Sequence, residues 1–337
     1  MTELTIGLIF GGQSGEHQVS IASARAVNQG LNQHRVQPFY IQPDGCWANP
    51  IESAKVLAGE QIIPTSRDRL PSHTEAIDLW FPVLHGPYGE DGTVQGLLEL
   101  LQKPYIGNGV LASALGMDKI LMKSCFAQAG LAQVKYLGLN RQDWRSEPNS
   151  WSQHIETHLG YPCFVKPSNL GSSVGISKVR DRVELVKAVE TALGFDSRII
   201  IEQGVTAREL ECAVLGNEQP QASVVGEITF QSDFYDYETK YTPGRAELII
   251  PANLPTAVID TVQDLALRAF RAIAGQGLAR VDFFYVPASG MVLINEINTM
   301  PGFTVTSMYP KLWQASGLDF NQLCDRLIEL ALAQKSV

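Results

Sequence analysis

Two apolar runs near the end of the chain, 277–285 and 291–297, constrain the fold more than any other stretch. Arg280-Val281-Asp282 lies in the first, and Asn295-Glu296-Ile297-Asn298-Thr299-Met300-Pro301-Gly302 closes the second. Side chains two apart on a strand share a face, so Arg280 and Asp282 point one way, as do Glu296 and Asn298. The short link Pro287-Ala288-Ser289-Gly290 suggests a hairpin that lays the two polar faces side by side. Two carboxylates, an amide oxygen and a guanidinium then converge. Such oxygens are hard ligands suited to Mg²⁺, and the Arg could hold an anionic group. That is the chemistry of a metal–nucleotide site. A hairpin with an exposed polar face is the plain alternative.

The rest of the chain reads as alternating elements. A strand at 5–10 stops at Gly11-Gly12, a helix follows over 18–31, and a strand is expected at 36–41. A buried strand at 76–84 ends at His85-Gly86, before a helix at 93–101. Strands alternating with helices imply a parallel α/β unit with ligands at the carboxyl ends of its strands. Beyond Ser113 the pattern changes to α+β. A helix over 117–129 carries Lys119 and Lys123, and strands are expected at 161–167 and 176–179 around a glycine loop. A helix at 181–193 and a strand at 197–202 complete that unit. Strands at 208–215 and 222–228, a helix at 256–274, the hairpin and a closing helix at 318–332 form the third. The polar and aromatic segment 229–251 reads as a functional lid, since four aromatics within 234–241 argue against simple disorder.

A chain of 337 residues suits two or three domains, and its 45% hydrophobic content supports a large core. The net charge of −9, with no dense Lys/Arg run, argues against nucleic acid as the main partner. The five cysteines show no C-x-x-C pair, which fits reduced thiols in a cytoplasm. The N-terminal run, with Glu3 and an early Gly11-Gly12, does not resemble an export signal, and no apolar stretch approaches ~20 residues, so neither export nor a membrane span is expected.

Several constellations carry chemistry, each with a plainer reading beside it. Gly171-Ser172-Ser173-Val174-Gly175 would let backbone and hydroxyl donors approach an anion, or is an ordinary hairpin turn. It lacks the G-K-[ST] of a Walker A loop. Lys166, ending an apolar strand, either meets a phosphate or snorkels to water. Lys119 has the same two readings. Glu202-Gln203-Gly204-Val205 with Glu209 is either a nucleotide edge or a solvated turn. Glu16, after Gly11-Gly12, could hold a substrate ammonium or serve a helix macrodipole. His85 is either catalytic or a structural hydrogen-bonder.

Taken together in order, these residues resemble the ATP-grasp superfamily, and within it the D-alanine–D-alanine ligases. The resemblance runs nearly end to end: FGGQSGEHQVS at 10–20, LHGPYGEDGTVQG at 84–96, MDK at 117–119, VKPSNLGSSVGISKV at 165–179, EQGVTARELE at 202–211, FYDYETKY at 234–241, ARVDFF at 279–284 and NEINTMPGFTVTSMYP at 295–310. It implies an N-terminal parallel α/β domain over 1–112, a central domain over 113–204, and a C-terminal domain over 205–337 that grips ATP against it. It also implies that Asp282, Glu296 and Asn298 ligate two Mg²⁺ (or Mn²⁺), and that Lys119, Lys166 and Lys240 contact ATP phosphates. Glu202, Gln203, Val205 and Glu209 match adenine and ribose contacts, with Phe234, Phe284 and Ile294 lining the base pocket. Glu16 matches the residue facing the first D-alanine ammonium, in a hydrogen-bonded trio with Ser172 and Tyr241. Arg280 and the Gly302 backbone match the oxyanion site. Ser307 and Met308 match contacts to the second D-alanine carboxylate, and His85 is placed with the substrate residues.

The implied activity is ATP-dependent joining of two D-alanines through an acyl phosphate, for peptidoglycan precursors, by a cytoplasmic homodimer. Tyr241 favours D-alanine as second substrate, because related ligases that accept D-lactate often carry Phe there. The stretch 300–306 departs from many relatives. Two other readings remain: a different ATP-grasp carboxylate–amine ligase, and a non-catalytic ATP-binding regulator.

Overall fold

The computed structural model describes residues 2–171, 174–230 and 246–334. The first layer contains β1 (Thr5–Gly11), α1 (His17–Gly30), β2 (Arg35–Ile41), α2 (Pro50–Ala58), β3 (Leu79–Pro82) and α3 (Thr93–Leu100). Its sheet has the order β2-β1-β3, and both pairings are parallel, as alternating strands and helices imply. β1 ends at Gly11 with φ +92°, where a Cβ would lie 2.2 Å from the Ile41 carbonyl oxygen, so only glycine fits the turn into α1. The strand expected over 76–84 shortens to β3, because residues before Leu79 enter through a turn in which Ile77 N–H donates to the Thr74 carbonyl. Helix α2 carries its start signal in the sequence: Asn49 and Glu52 form a reciprocal capping box, with Pro50 at the helix start.

The helix expected over 117–129 is α5 (Lys119–Gln128), and a separate helix that the sequence reading lacks, α4 (Val110–Met117), precedes it. Asp118 stands between them with extended backbone and caps α5, accepting from Ile120 N and Leu121 N. Next come β4 (Tyr136–Asn140), α6 (Arg141–Ser146), α7 (Pro148–His158), β5 (Cys163–Pro167), β6 (Ser177–Val179), α8 (Arg182–Phe195) and β7 (Arg198–Gln203). Their antiparallel sheet has the order β4-β7-β5-β6, with residues 168–176 linking β5 to its neighbour β6.

The third group is β8 (Arg208–Gly216), β9 (Gln221–Phe230), β10 (Ala246–Ile249), α9 (Thr256–Ala272), β11 (Gly277–Val286), β12 (Met291–Asn298), α10 (Met308–Ala315) and α11 (Phe320–Gln334). The sheet order is β10-β9-β8-β11-β12, antiparallel throughout. The segment 229–251 is therefore not loop throughout: β9 runs two residues past Ile228, and Ala246–Ile249 pairs with it. Residues 231–245 lie outside the described residues.

Alternation along β8 and β11 gives this sheet two unlike faces. Leu210, Cys212, Val214, Val281 and Phe283 are buried against α9 residues such as Leu265, Ala269 and Phe270. On the other face, Ala213, Leu215 and Leu278 pack under α10 and α11 and share one core with Ile6, Leu8 and Phe81 of the parallel sheet. Farther along that second face stand Glu209, Glu211, Arg280 and Asp282. One sheet face thus turns from apolar to charged along its length. Among the described residues, no helix is long and apolar enough to cross a membrane.

Candidate active site

The hairpin forms as its sequence implies. Arg280 lies opposite Asn298 and Asp282 opposite Glu296. The register then slips between Asp282 and Phe283, so that Phe283 faces Ile294 and Asn295 is the extra residue of a bulge. On the other side of β11, Asp282 faces Glu211 and Phe284 faces Glu209. The guanidinium of Arg280 forks onto Asp282, Nε to Oδ1 and Nη2 to Oδ2, each at 2.7 Å. Its Nε also lies 3.0 Å from Glu211 Oε2. Burial opposes the charge of Arg280, but Asp282 and Glu211 outweigh it and hold the guanidinium well above its ordinary range. The local balance stays negative, with Glu209, Glu211, Asp282 and Glu296 around one arginine. Burial, opposed by Lys166 and aided by Asp282 and Glu296, pushes Glu209 up to about 7.

This row forms one wall of a cavity of about 430 Å³. Lys119, Lys166, Gly171, Glu202, Gln203 and Val205 come from the facing elements, and Phe284 and Asn295 from the hairpin. Glu202 is gripped from two sides, Oε1 by Lys123 Nζ at 2.9 Å and Oε2 by Lys166 Nζ at 2.5 Å. Burial alone would raise its pKa, yet the two lysines hold it down at about 2. Burial likewise opposes the charge of Lys166, but Glu202 and Glu296 raise its pKa on balance. Lys119 titrates lower than an ordinary lysine, chiefly through burial, and its Nζ donates to the Leu170 carbonyl at 2.6 Å. Asp118 ties this corner together: it accepts from Ser168 Oγ at 3.0 Å and from Arg198 Nη1 at 2.6 Å.

Glu16 approaches the same region from the first layer. A Cβ at Gly171 would fall 3.4 Å from both Glu16 Oε2 and Glu90 Oε1, so these carboxylates lie against the glycine loop. Glu90 is buried and accepts from Gly86 N at 3.0 Å. His85 is buried at the end of β3, with Nε2 2.9 Å from Ser23 Oγ and Nδ1 3.1 Å from the Met300 carbonyl. These two contacts tie the first layer to residue 300. Gly302 lies close to Ser307, whose Oγ accepts from Thr304 N at 3.1 Å. Met308 opens α10, and its side chain is buried in the core under that helix.

Ile294 does not line the cavity. It is fully buried in the core behind the sheet, opposite Phe283. Ser172, Phe234, Lys240 and Tyr241 lie outside the described residues. From the sequence Lys123 is placed on its helix without a role, and Glu211 and Glu90 are not singled out. Two of them had a signal: Lys123 is one helical turn beyond Lys119, and Glu211 shares a strand face with Glu209.

The donor chemistry suits a hard cation. Asp282, Glu296 and Asn298 offer oxygens from one face of the hairpin, in a row with excess negative charge. Among the described residues, no three His, Cys, Asp or Glu side chains already close on a common point. Asp282 turns both oxygens to Arg280, and Asn298 Oδ1 accepts from Met300 N at 3.1 Å.

Comparison with known proteins agrees along the whole chain. Residues 5–108 match the family model "D-ala D-ala ligase N-terminus" and residues 125–329 match "D-ala D-ala ligase C-terminus". A D-alanine–D-alanine ligase of Bacillus pumilus (strain SAFR-032) is 49% identical, over 98% of this chain and 96% of that protein. Among solved structures, the D-alanine–D-alanine ligase of Coxiella burnetii is similar with a TM-score of 0.84 at 34% identity, covering 99% of this chain and 95% of that one. The VanG D-Ala:D-Ser ligase of Enterococcus faecalis is similar with a TM-score of 0.84 at 36% identity, covering 98% and 99%. The matches span both ends of the chain and the sheets that bear the charged row, and the chain belongs to the D-alanine–D-alanine ligase family.

Proposed function

We propose that this protein joins two D-alanine molecules into D-alanyl-D-alanine, with ATP as co-substrate, through an acyl phosphate. The observation that carries the reading is the cavity in which Lys119, Lys166 and Glu202 face the row of Glu209, Arg280, Asp282 and Glu296. Glu202, Gln203 and Val205 bind the adenine edge, and Glu209 the ribose, with Phe284 against the base. Lys119 and Lys166 direct their ammonium groups to the phosphates. Glu16 holds the ammonium of the first D-alanine, so that its carboxylate attacks the γ-phosphate. Asp282, Glu296 and Asn298 would hold Mg²⁺, or Mn²⁺, which when bound offsets phosphate charge during the transfer.

In the second half-reaction the amine of the second D-alanine attacks the activated carbonyl. Arg280 and the Gly302 N–H stabilise the oxyanion, phosphate leaves, and the dipeptide remains. Ser307 and Met308, at the start of α10, contact the second D-alanine carboxylate. A lid between β9 and β10 would keep water from the acyl phosphate.

A coupled assay tests the reading: phosphate release from ATP should depend on D-alanine, with the dipeptide mass as product. Release driven by L-alanine alone would refute it. The similarity to a D-Ala:D-Ser ligase favours one second reading, in which D-serine is the preferred second substrate. A screen of D-alanine, D-serine and D-lactate with ATP separates the two. We further propose three domains, 1–112, 113–204 and 205–337. Their support is that each of the three sheets falls within one of these segments. A cytoplasmic homodimer acting in peptidoglycan precursor synthesis completes the proposal, and light scattering tests the dimer.

A further inference from the structure

Lys123 is a buried cation that the reaction above does not use. It is 1% exposed, on α5, one turn beyond Lys119. Its Nζ donates to Glu202 Oε1 at 2.9 Å and to the Asn295 carbonyl at 3.2 Å, and lies 5.6 Å from the centre of the Tyr136 ring. These contacts belong to three different places in the fold. Glu202 is on β7, at the proposed nucleotide edge. Asn295 is the bulge residue of β12, directly before Glu296. Tyr136 is on β4, the outer neighbour of β7. A lysine taken fully out of water needs such partners, and here each partner sits next to a group of the site.

We propose that Lys123 is a positioning residue for the nucleotide. It holds Glu202 in one rotamer together with Lys166, and it fixes the bulge that turns Glu296 toward the cavity. The ammonium group thereby bridges the two sheets on either side of the cavity, beside the backbone bond from Ile294 N to the Ala132 carbonyl. The inference rests on the ATP reading above.

Calorimetric ATP binding without metal, in the full-length protein, tests it beside steady-state kinetics. K123M keeps the length of the side chain and removes its charge. ATP should bind about 10- to 100-fold more weakly, the scale on which an outer partner of a binding group acts. KM for the first D-alanine should stay within about threefold, since Glu16 lies on another element. K123R should recover most of the ATP affinity. A purely packing role predicts the reverse order, because Met fits a lysine-shaped space better than Arg. ATP binding by K123M within about twofold of the wild type, or K123R weaker than K123M, would overturn the proposal. If K123M does not fold, K123Q is read in the same way. Wild-type protein that binds no ATP would instead refute the functional reading on which this one stands.

Discussion

Replacing Arg280 with Met tests the charged row most directly. Arg280 makes two bonds of 2.7 Å to Asp282 and approaches Glu211 at 3.0 Å, all away from water. At an effective dielectric near 20, a pair of charges about 4 Å apart is worth about 4 kcal/mol. Two such pairs, less several kcal/mol for burying a guanidinium, leave about 3–5 kcal/mol as the cost of orphaning the carboxylates. Amide hydrogen exchange in β8 and β11 reads the opening free energy of that sheet and should fall by this amount. In the R280M background, E211Q should return about 0.5–3 kcal/mol, because it removes one of two carboxylates left facing each other. The same E211Q change in the wild type should destabilise, since it weakens a pair. If Arg280 also steadies the oxyanion, kcat for dipeptide formation should fall about 10²–10³-fold in R280M, and more than phosphoryl transfer to the first D-alanine. Exchange unchanged within about 1 kcal/mol, or E211Q destabilising both backgrounds equally, would refute the account of the row.

Further changes probe other parts of the site. Glu296→Gln should slow phosphoryl transfer roughly 10²–10³-fold, since several kcal/mol of charge stabilisation depend on it. The fold should change little, because Glu296 is half-buried at the cavity rather than in a core; a pre-steady-state phosphate burst of normal size would contradict the metal assignment. Tyr241→Phe should raise the ratio of depsipeptide to dipeptide when D-lactate competes with D-alanine, measured by product mass, and an unchanged ratio counts against the specificity reading. Glu202 titrates at about 2 rather than its ordinary 4.5, so its folded pKa is depressed. It therefore contributes stability above pH ~4.5, on the order of 3 kcal/mol, which is lost as pH falls toward 2. Acid unfolding of E202Q should lack that part of the slope, and identical acid midpoints and slopes would show that the pair is not stabilising.

The residues legible from sequence are those whose placement depends on local periodicity. Asp282 and Glu296 could be assigned to one face because strands alternate with period two and the hairpin link is short. Ile294 shows where that logic ends. Counting back by twos from Asn298 and Glu296 puts Ile294 on the cavity face, but the extra residue at Asn295 shifts the parity, and Ile294 faces the core opposite Phe283. A bulge of one residue leaves no clear mark after Met291-Val292-Leu293-Ile294, a run whose residues are apolar on both faces. The partners of Arg280 are only partly legible, for a different reason. Its nearest anions are Asp282, two residues away, and Glu211, brought beside it by the long-range pairing of β8 with β11. Lys123 and Lys119 are one helical turn apart on α5 and cannot be told apart by spacing. What separates them is the position of Glu202 and Asn295, set by β7 and the β12 bulge. Local pattern therefore locates the polar groups, while their pairing, and hence which charge remains free for a substrate, is decided by contacts between strands far apart in the chain.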